Sequence, residues 1–255
     1  MDIFWAAPPV ARTLTALALV QSALVHGGAL SGYYVVFLPR LLWKLQLWRL
    51  VTPFLLTGGN ISFLLDLYFL YLYSSSLETG SSRFTEPGAF FTYVVFVASV
   101  IMLTAGCFLG GFVFTSALIL AFVYTYAQDN RGRKATFYVI QIPVEFLPWA
   151  MLVMAFVSGG PSAVLSEAMG IVAAHLYDFL TRIYPAFGGG RNWITTPAFV
   201  RRYFGAHTPA STSRAYGTAF RQPQPSSGSP SSGGWSSSLQ NPWSGRGAGR
   251  RLGGD

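Results

Sequence analysis

The chain has 255 residues, of which 52% are hydrophobic and 16% aromatic, and only 10% carry charge; soluble domains carry roughly 25%. That balance describes an integral membrane protein, and a net charge of +8 without an aromatic and basic platform for stacked bases excludes nucleic acid as a partner. The single cysteine, Cys107, excludes an intramolecular disulfide and a thiolate-lined metal site, so no metal or cofactor is expected.

Taken in chain order, Pro8-Pro9 breaks the start before an apolar run that ends near Leu30. The run has no basic start, and His26-Gly27-Gly28 is not a persuasive cleavage site, so it reads as an uncleaved first span. Residues 31–58 are aromatic and contain Arg40, Lys44 and Arg49. Within them Leu41, Leu42, Leu45, Leu47 and Trp48 have spacings that suit a helix lying in the plane of the membrane interface. The pair Trp48-Arg49 reads locally as an interfacial anchor, with the indole at headgroup level and the guanidinium snorkelling to phosphate and water.

A second span is expected over residues 61–77, a third over 87–105 and a fourth over 111–128. The fifth is expected over 136–157, kinked by Pro143 and Pro148, and the sixth over 163–184, after a turn at Gly159-Gly160-Pro161. The expected fold class is therefore an all-α membrane protein of six transmembrane helices. Six spans put both termini on one side of the membrane. Arg12, Arg83, Arg131, Arg133, Lys134 and nine basic residues from Arg182 onward fall on that side, against three in the first loop. By the positive-inside rule the termini are cytosolic and the first loop faces the opposite compartment. Residues 188–255, rich in Gly, Ser, Pro and Arg, are expected to be a disordered tail.

Asp66, Glu145, Glu167, His175 and Asp178 fall at membrane depth or at its edge, where an ionisable group is costly unless it pairs or meets water. Glu167 and Asp178 read equally well as helix-end residues. Asp66 and Glu145 point to a wet interior cavity. Gly170 and Ala174 are four apart, a small-residue face that lets another helix approach closely. His175 follows at once and reads either as a bundle hydrogen-bonder or as the general base of a membrane serine protease. The protease reading needs a Gly-x-Ser-Gly nucleophile, whereas Ser116 lies in Phe114-Thr115-Ser116 without flanking glycines for substrate backbone or oxyanion. The chain is therefore expected not to be an enzyme.

Ordered motifs carry a resemblance through residue 187: Pro8-Pro9-Val10-Ala11-Arg12-Thr13, Leu47-Trp48-Arg49-Leu50-Val51-Thr52-Pro53-Phe54, Tyr68-Phe69-Leu70-Tyr71, Phe146-Leu147-Pro148-Trp149, and Gly170 to Leu180 with Tyr184-Pro185. In these the chain resembles the Derlin family, rhomboid-like pseudoproteases of endoplasmic-reticulum-associated degradation. The resemblance implies a rhomboid-like bundle over residues 1–187 and makes Trp48-Arg49 a hallmark of the first luminal loop. It maps the family's small-residue helix face onto Gly170 and Ala174, with Ala in place of the second glycine. In the tail, Trp243, Gly245, Gly247, Gly249 and Leu252 are similar to the SHP box, aromatic-x-Gly-x-Gly-x-x-Leu, which binds the AAA ATPase valosin-containing protein. Trp stands where Phe is usual, and only the pair Gly247 and Gly249 keeps the two-residue spacing to Leu252.

The function so implied is noncatalytic help in retrotranslocation of misfolded proteins from the endoplasmic reticulum membrane to the cytosol. Short spans and an interfacial loop would thin the bilayer while the tail recruits the ATPase. The expected partners are that ATPase, a membrane ubiquitin ligase complex, misfolded clients, the lipid bilayer, and further copies or other chains in a homo- or hetero-oligomer. Two alternatives stay open at this stage: an active protease using Ser116 and His175, and a passive scaffold for ATPase or ligase.

Overall fold

A computed structural model describes residues 7–42, 44–137, 140–187 and 194–205. Helix α1 (Pro9–His26) starts on Pro9, where the missing N–H costs nothing because the first turn has no intrahelical acceptor for it. Helix α2 (Ile61–Gly80) follows the first loop. Helix α3 (Ala89–Ile101) runs on as a π-helical segment, Met102–Phe108, past the expected end at residue 105. Helix α4 (Thr115–Asp129) begins four residues later than expected. It is buried on every side over residues 117–123, as a helix apolar all round must be, and it forms the axis of the bundle.

The expected fifth span is corrected at its start. Residues Lys134–Phe137 and Ile140–Pro143 form strands β1 and β2 of an antiparallel hairpin, with Ala135 opposite Ile142 and Phe137 opposite Ile140. Alternating β-branched residues and Pro143 favour the extended chain there, and Pro at the strand end removes a donor that helix would need. Helical structure resumes with α5 (Leu147–Asp178), which is broken at Gly160 (φ 70°, ψ −165°). That conformation is open to glycine alone, and Pro161 then opens the second arm. Trp149 and Ile171 line the same cavity, although a straight helix would hold them about 33 Å apart. The two arms of α5 therefore run antiparallel, as the Gly159-Gly160-Pro161 turn predicts. Two stretches, Ala89–Phe108 and Val144–Phe187, are long and apolar enough to cross a membrane, with mean hydropathies of 2.1 and 1.5.

The second arm of α5 packs on α4 through Gly170. A methyl group there would lie 2.0 Å from the Ala117 carbonyl oxygen, so the backbones touch. Ala173 and Ala174 are buried beside it. Aromatic rings fill much of the remaining core, with Tyr93 between Phe84, Phe122 and Tyr177.

Glu78, at the end of α2, accepts hydrogen bonds from the backbone N–H groups of Val10 (3.0 Å) and Ala11 (2.7 Å), which satisfies two orphan donors at the positive end of α1. Arg83, between α2 and α3, pairs with Asp129 at the end of α4 and with Asp178 at the end of α5 (2.6 Å). The start of α1, the 81–88 connection, the 129–134 turn and the end of α5 thus share one end of the bundle. Beyond the expected domain limit at residue 187, helix α6 (Ala198–Gly205) is ordered. It buries Val200 and sets the Phe204 ring, tilted, 5.7 Å from that of Phe91 of α3. The SHP-box-like residues Trp243, Gly245, Gly247, Gly249 and Leu252 lie outside the described residues.

Candidate functional site

The first loop is not one interfacial helix. It is a chain of single turns, Gly32–Tyr34, Pro39–Leu42, Leu47–Leu50 and Thr52–Phe54, interrupted at Leu45, whose φ is 60°. Such a φ is uncommon for a leucine and ends the helical register that the Leu spacing suggested. The Trp48 side chain is half exposed, and its indole N–H donates to the Tyr34 carbonyl at 3.2 Å.

Arg49 does not snorkel. It is 1% exposed, and its guanidinium donates to the carbonyls of Tyr33 (2.7 Å) and Val36 (2.6 Å) and to the side-chain oxygen of Gln46 (2.8 Å). The Tyr33 ring lies 5.3 Å from it, within reach of a cation–π attraction. A planar fork of donors can serve several carbonyls at once, so Arg49 is the centre around which the loop folds. Trp-Arg as a dipeptide gave no signal of this, because the acceptors are backbone carbonyls 13 and 16 residues away.

The loop is also tied to the bundle. Gln21 donates to the Thr52 carbonyl (2.7 Å), Ser22 to that of Leu55 (3.0 Å), and Thr115 to that of Leu56 (2.6 Å). Phe37 N–H donates to the Phe112 carbonyl at 2.9 Å.

A polar cavity of about 280 Å³ separates α2 from the first arm of α5, which barely touch. Its polar lining is Gly58, Ser62, Asp66, Ser116, Ser158 and Glu167. Met151 and Met154 line it from α5, and Phe137 lines it from the hairpin. Asp66 accepts the Gly58 N–H at 2.9 Å. Asp66 and Glu145, which both pointed to a wet interior cavity, line different pockets. Glu145 is exposed in the turn before α5 and belongs to a separate pocket with Tyr124 and Arg131, whereas Glu167, which had read as a helix-end residue, shares the cavity with Asp66. The error follows from placing the fifth span over residues that form the hairpin. Phe137 stacks on Phe69 of α2 with ring centroids 6.0 Å apart, so the hairpin reaches the gap between α2 and α5 from the end of the bundle that holds the start of α1.

His175 lies away from this cavity. Its Nδ1 is 3.1 Å from the Tyr124 hydroxyl, and Tyr124 follows Ser116 on α4 by eight residues, about 12 Å of rise. Ser116 and His175 therefore do not form a nucleophile–base pair; His175 meets the Tyr124 hydroxyl instead. Arg83, Asp129 and Asp178 form a cluster, with Ser81 donating to Asp129 at 2.5 Å; in the sequence Arg83 reads as loop charge and Asp178 as a residue at a helix end or the membrane edge, with nothing to join them. The signal available was an acidic residue at the end of each of two spans facing one loop arginine.

A family model described as the Der1-like family matches residues 7–198. Derlin-1 of Homo sapiens is 30% identical over 208 residues, covering 79% of this chain and 81% of that protein. Derlin-1 of Arabidopsis thaliana is 28% identical over 203 residues, with 76% and 73% covered. A probable derlin-1 homolog of Dictyostelium discoideum is 28% identical over 200 residues, with 77% and 81% covered.

Proposed function

The chain belongs to the Der1-like family, and from that premise we propose that it is a noncatalytic, multi-pass component of endoplasmic-reticulum-associated degradation that helps misfolded proteins leave the membrane toward the cytosol. The observation that carries the mechanism is the polar cavity between α2 and the first arm of α5, with Asp66 and Glu167 on its wall. A polypeptide entering a bilayer exposes backbone groups that cost several kcal/mol each when unsatisfied. Serines, carboxylates and the water they hold lower that cost, and a gap between two helices admits a chain without dismantling the bundle.

In this reading the bundle has six spans with both termini cytosolic, and the first loop, folded on Arg49, presents Trp48 to the opposite interface. The hairpin must yield when a client enters, because Phe137 shares the cavity. Force comes from valosin-containing protein, recruited through Trp243 to Leu252, and clients are handed over by a membrane ubiquitin ligase. Homo- or hetero-oligomers would widen the path. The separation of Ser116 from His175 supports a mechanism without a covalent step.

Degradation of a misfolded membrane reporter in cells relying on this chain tests the proposal. Asp66→Leu with Glu167→Leu should slow degradation while valosin-containing protein still co-purifies, and deletion of residues 243–252 should remove the ATPase. Undiminished degradation in the first variant contradicts the role of the cavity, and retained ATPase in the second contradicts the role of the tail.

A further inference from the structure

A second and larger concavity, about 830 Å³, lies between α1 and α3 on the outside of the bundle. Its walls are apolar: Val10, Leu14 and Leu17 from α1 face Phe91, Val95 and Ala98 from α3. Phe54 and Leu118 form its floor, Leu50 and Val51 of the first loop close one end, and Tyr203 and Phe204 of α6 close the other. We propose that this groove holds an anionic glycerophospholipid of the leaflet on the side of the termini, its acyl chains between α1 and α3 and its phosphate at the end marked by Arg12 and α6.

Two features select this occupant. The first is height. From Phe91 to Ala98 the wall of α3 rises about 10 Å, comparable to the acyl depth of one leaflet and well short of the ~30 Å hydrocarbon core that a transmembrane partner helix must pack against. The second is charge. Arg12 lies on the groove wall, and Arg202 is exposed on α6, next to the two residues that close the groove. Glu78 lies nearby, but its carboxylate accepts the Val10 and Ala11 N–H groups, and Arg12 attracts it as well. A lipid with a net negative headgroup supplies a phosphate for these guanidinium groups and apolar chains for the walls, whereas a free phosphate leaves the walls uncovered.

The test is native mass spectrometry of the full chain released from bilayers of phosphatidylcholine, with and without phosphatidylserine. The unaltered chain should retain one lipid and favour phosphatidylserine. Ala98→Phe, which fills the groove from its wall, should lower retention roughly tenfold, the equivalent of two methylenes denied burial. Leu17→Trp does the same from the rim, where Leu17 is half exposed and a larger ring does not enter the core, so it decides the matter if Ala98→Phe does not fold. Arg12→Glu with Arg202→Glu should abolish the preference for phosphatidylserine while phosphatidylcholine is still retained. Equal retention in the unaltered and groove-filled chains overturns the proposal. So does an unchanged headgroup preference in the charge-reversed chain, or release of two copies of the chain without lipid, which would assign the groove to a second protomer.

Discussion

Replacing Arg49 by alanine removes the group on which the first loop is folded. The Tyr33 and Val36 carbonyls and the Gln46 side-chain oxygen lose their donor. A buried acceptor left without a donor costs about 1–3 kcal/mol, but Tyr33 is itself exposed and Gln46 half-buried, so water repays part of that, and the desolvation cost of the guanidinium also disappears. A net loss of about 2–4 kcal/mol remains, which raises the loop's opening equilibrium roughly 30- to 1,000-fold. Amide hydrogen exchange in nanodiscs reads this directly. Exchange should accelerate across residues 33–57 in Arg49→Ala, with α4 unaffected. Arg49→Lys should fall between, because an ammonium keeps the charge but not the fork. Exchange in Arg49→Ala equal to that of the unaltered chain would refute the reasoning, since it would mean that the three acceptors are satisfied without the side chain.

Gly170→Ala should destabilise the bundle by about 1–3 kcal/mol or more, as overpacking does, because the new methyl group meets the Ala117 carbonyl at 2.0 Å; thermal unfolding in detergent checks this, whereas Ala174→Gly at the neighbouring position should cost about 1 kcal/mol or less through helix propensity, with any further loss reporting the buried methyl. Arg83→Ala leaves Asp129 and Asp178, both largely buried, without their shared cation, and should cost about 3–5 kcal/mol. Limited proteolysis should then cut faster in the connections at residues 81–88 and 129–134, and Asp129→Asn combined with Arg83→Ala should recover part of the loss.

The mostly helical, membrane-type character of the chain was legible in the sequence because it rests on local pattern, the length of the apolar runs. The fifth span was misplaced because Ala135, Phe137, Ile140 and Ile142 are apolar enough to extend a span and alternate as a strand does, and only pairing across the hairpin decides between them. That shift of about ten residues carried Glu145 into the membrane on paper and hid Glu167 as the partner of Asp66 in the cavity. Arg49 was misread for a related reason. Its partners are backbone carbonyls fixed by the path of the loop, and no side-chain pattern announces them. Helix α6 escaped because its eight residues are embedded in a polar tail, and its apolar face is defined by Val200 and Phe204 alone.

The central claim is that a client polypeptide passes through the cavity between α2 and the first arm of α5. A photoactivatable residue at Met154, on the cavity wall, and another at Val20, exposed on α1, can be compared in membranes carrying a client arrested during export. The account predicts client crosslinks from position 154 and none from position 20. Capture from both positions alike, or from position 20 only, would contradict it.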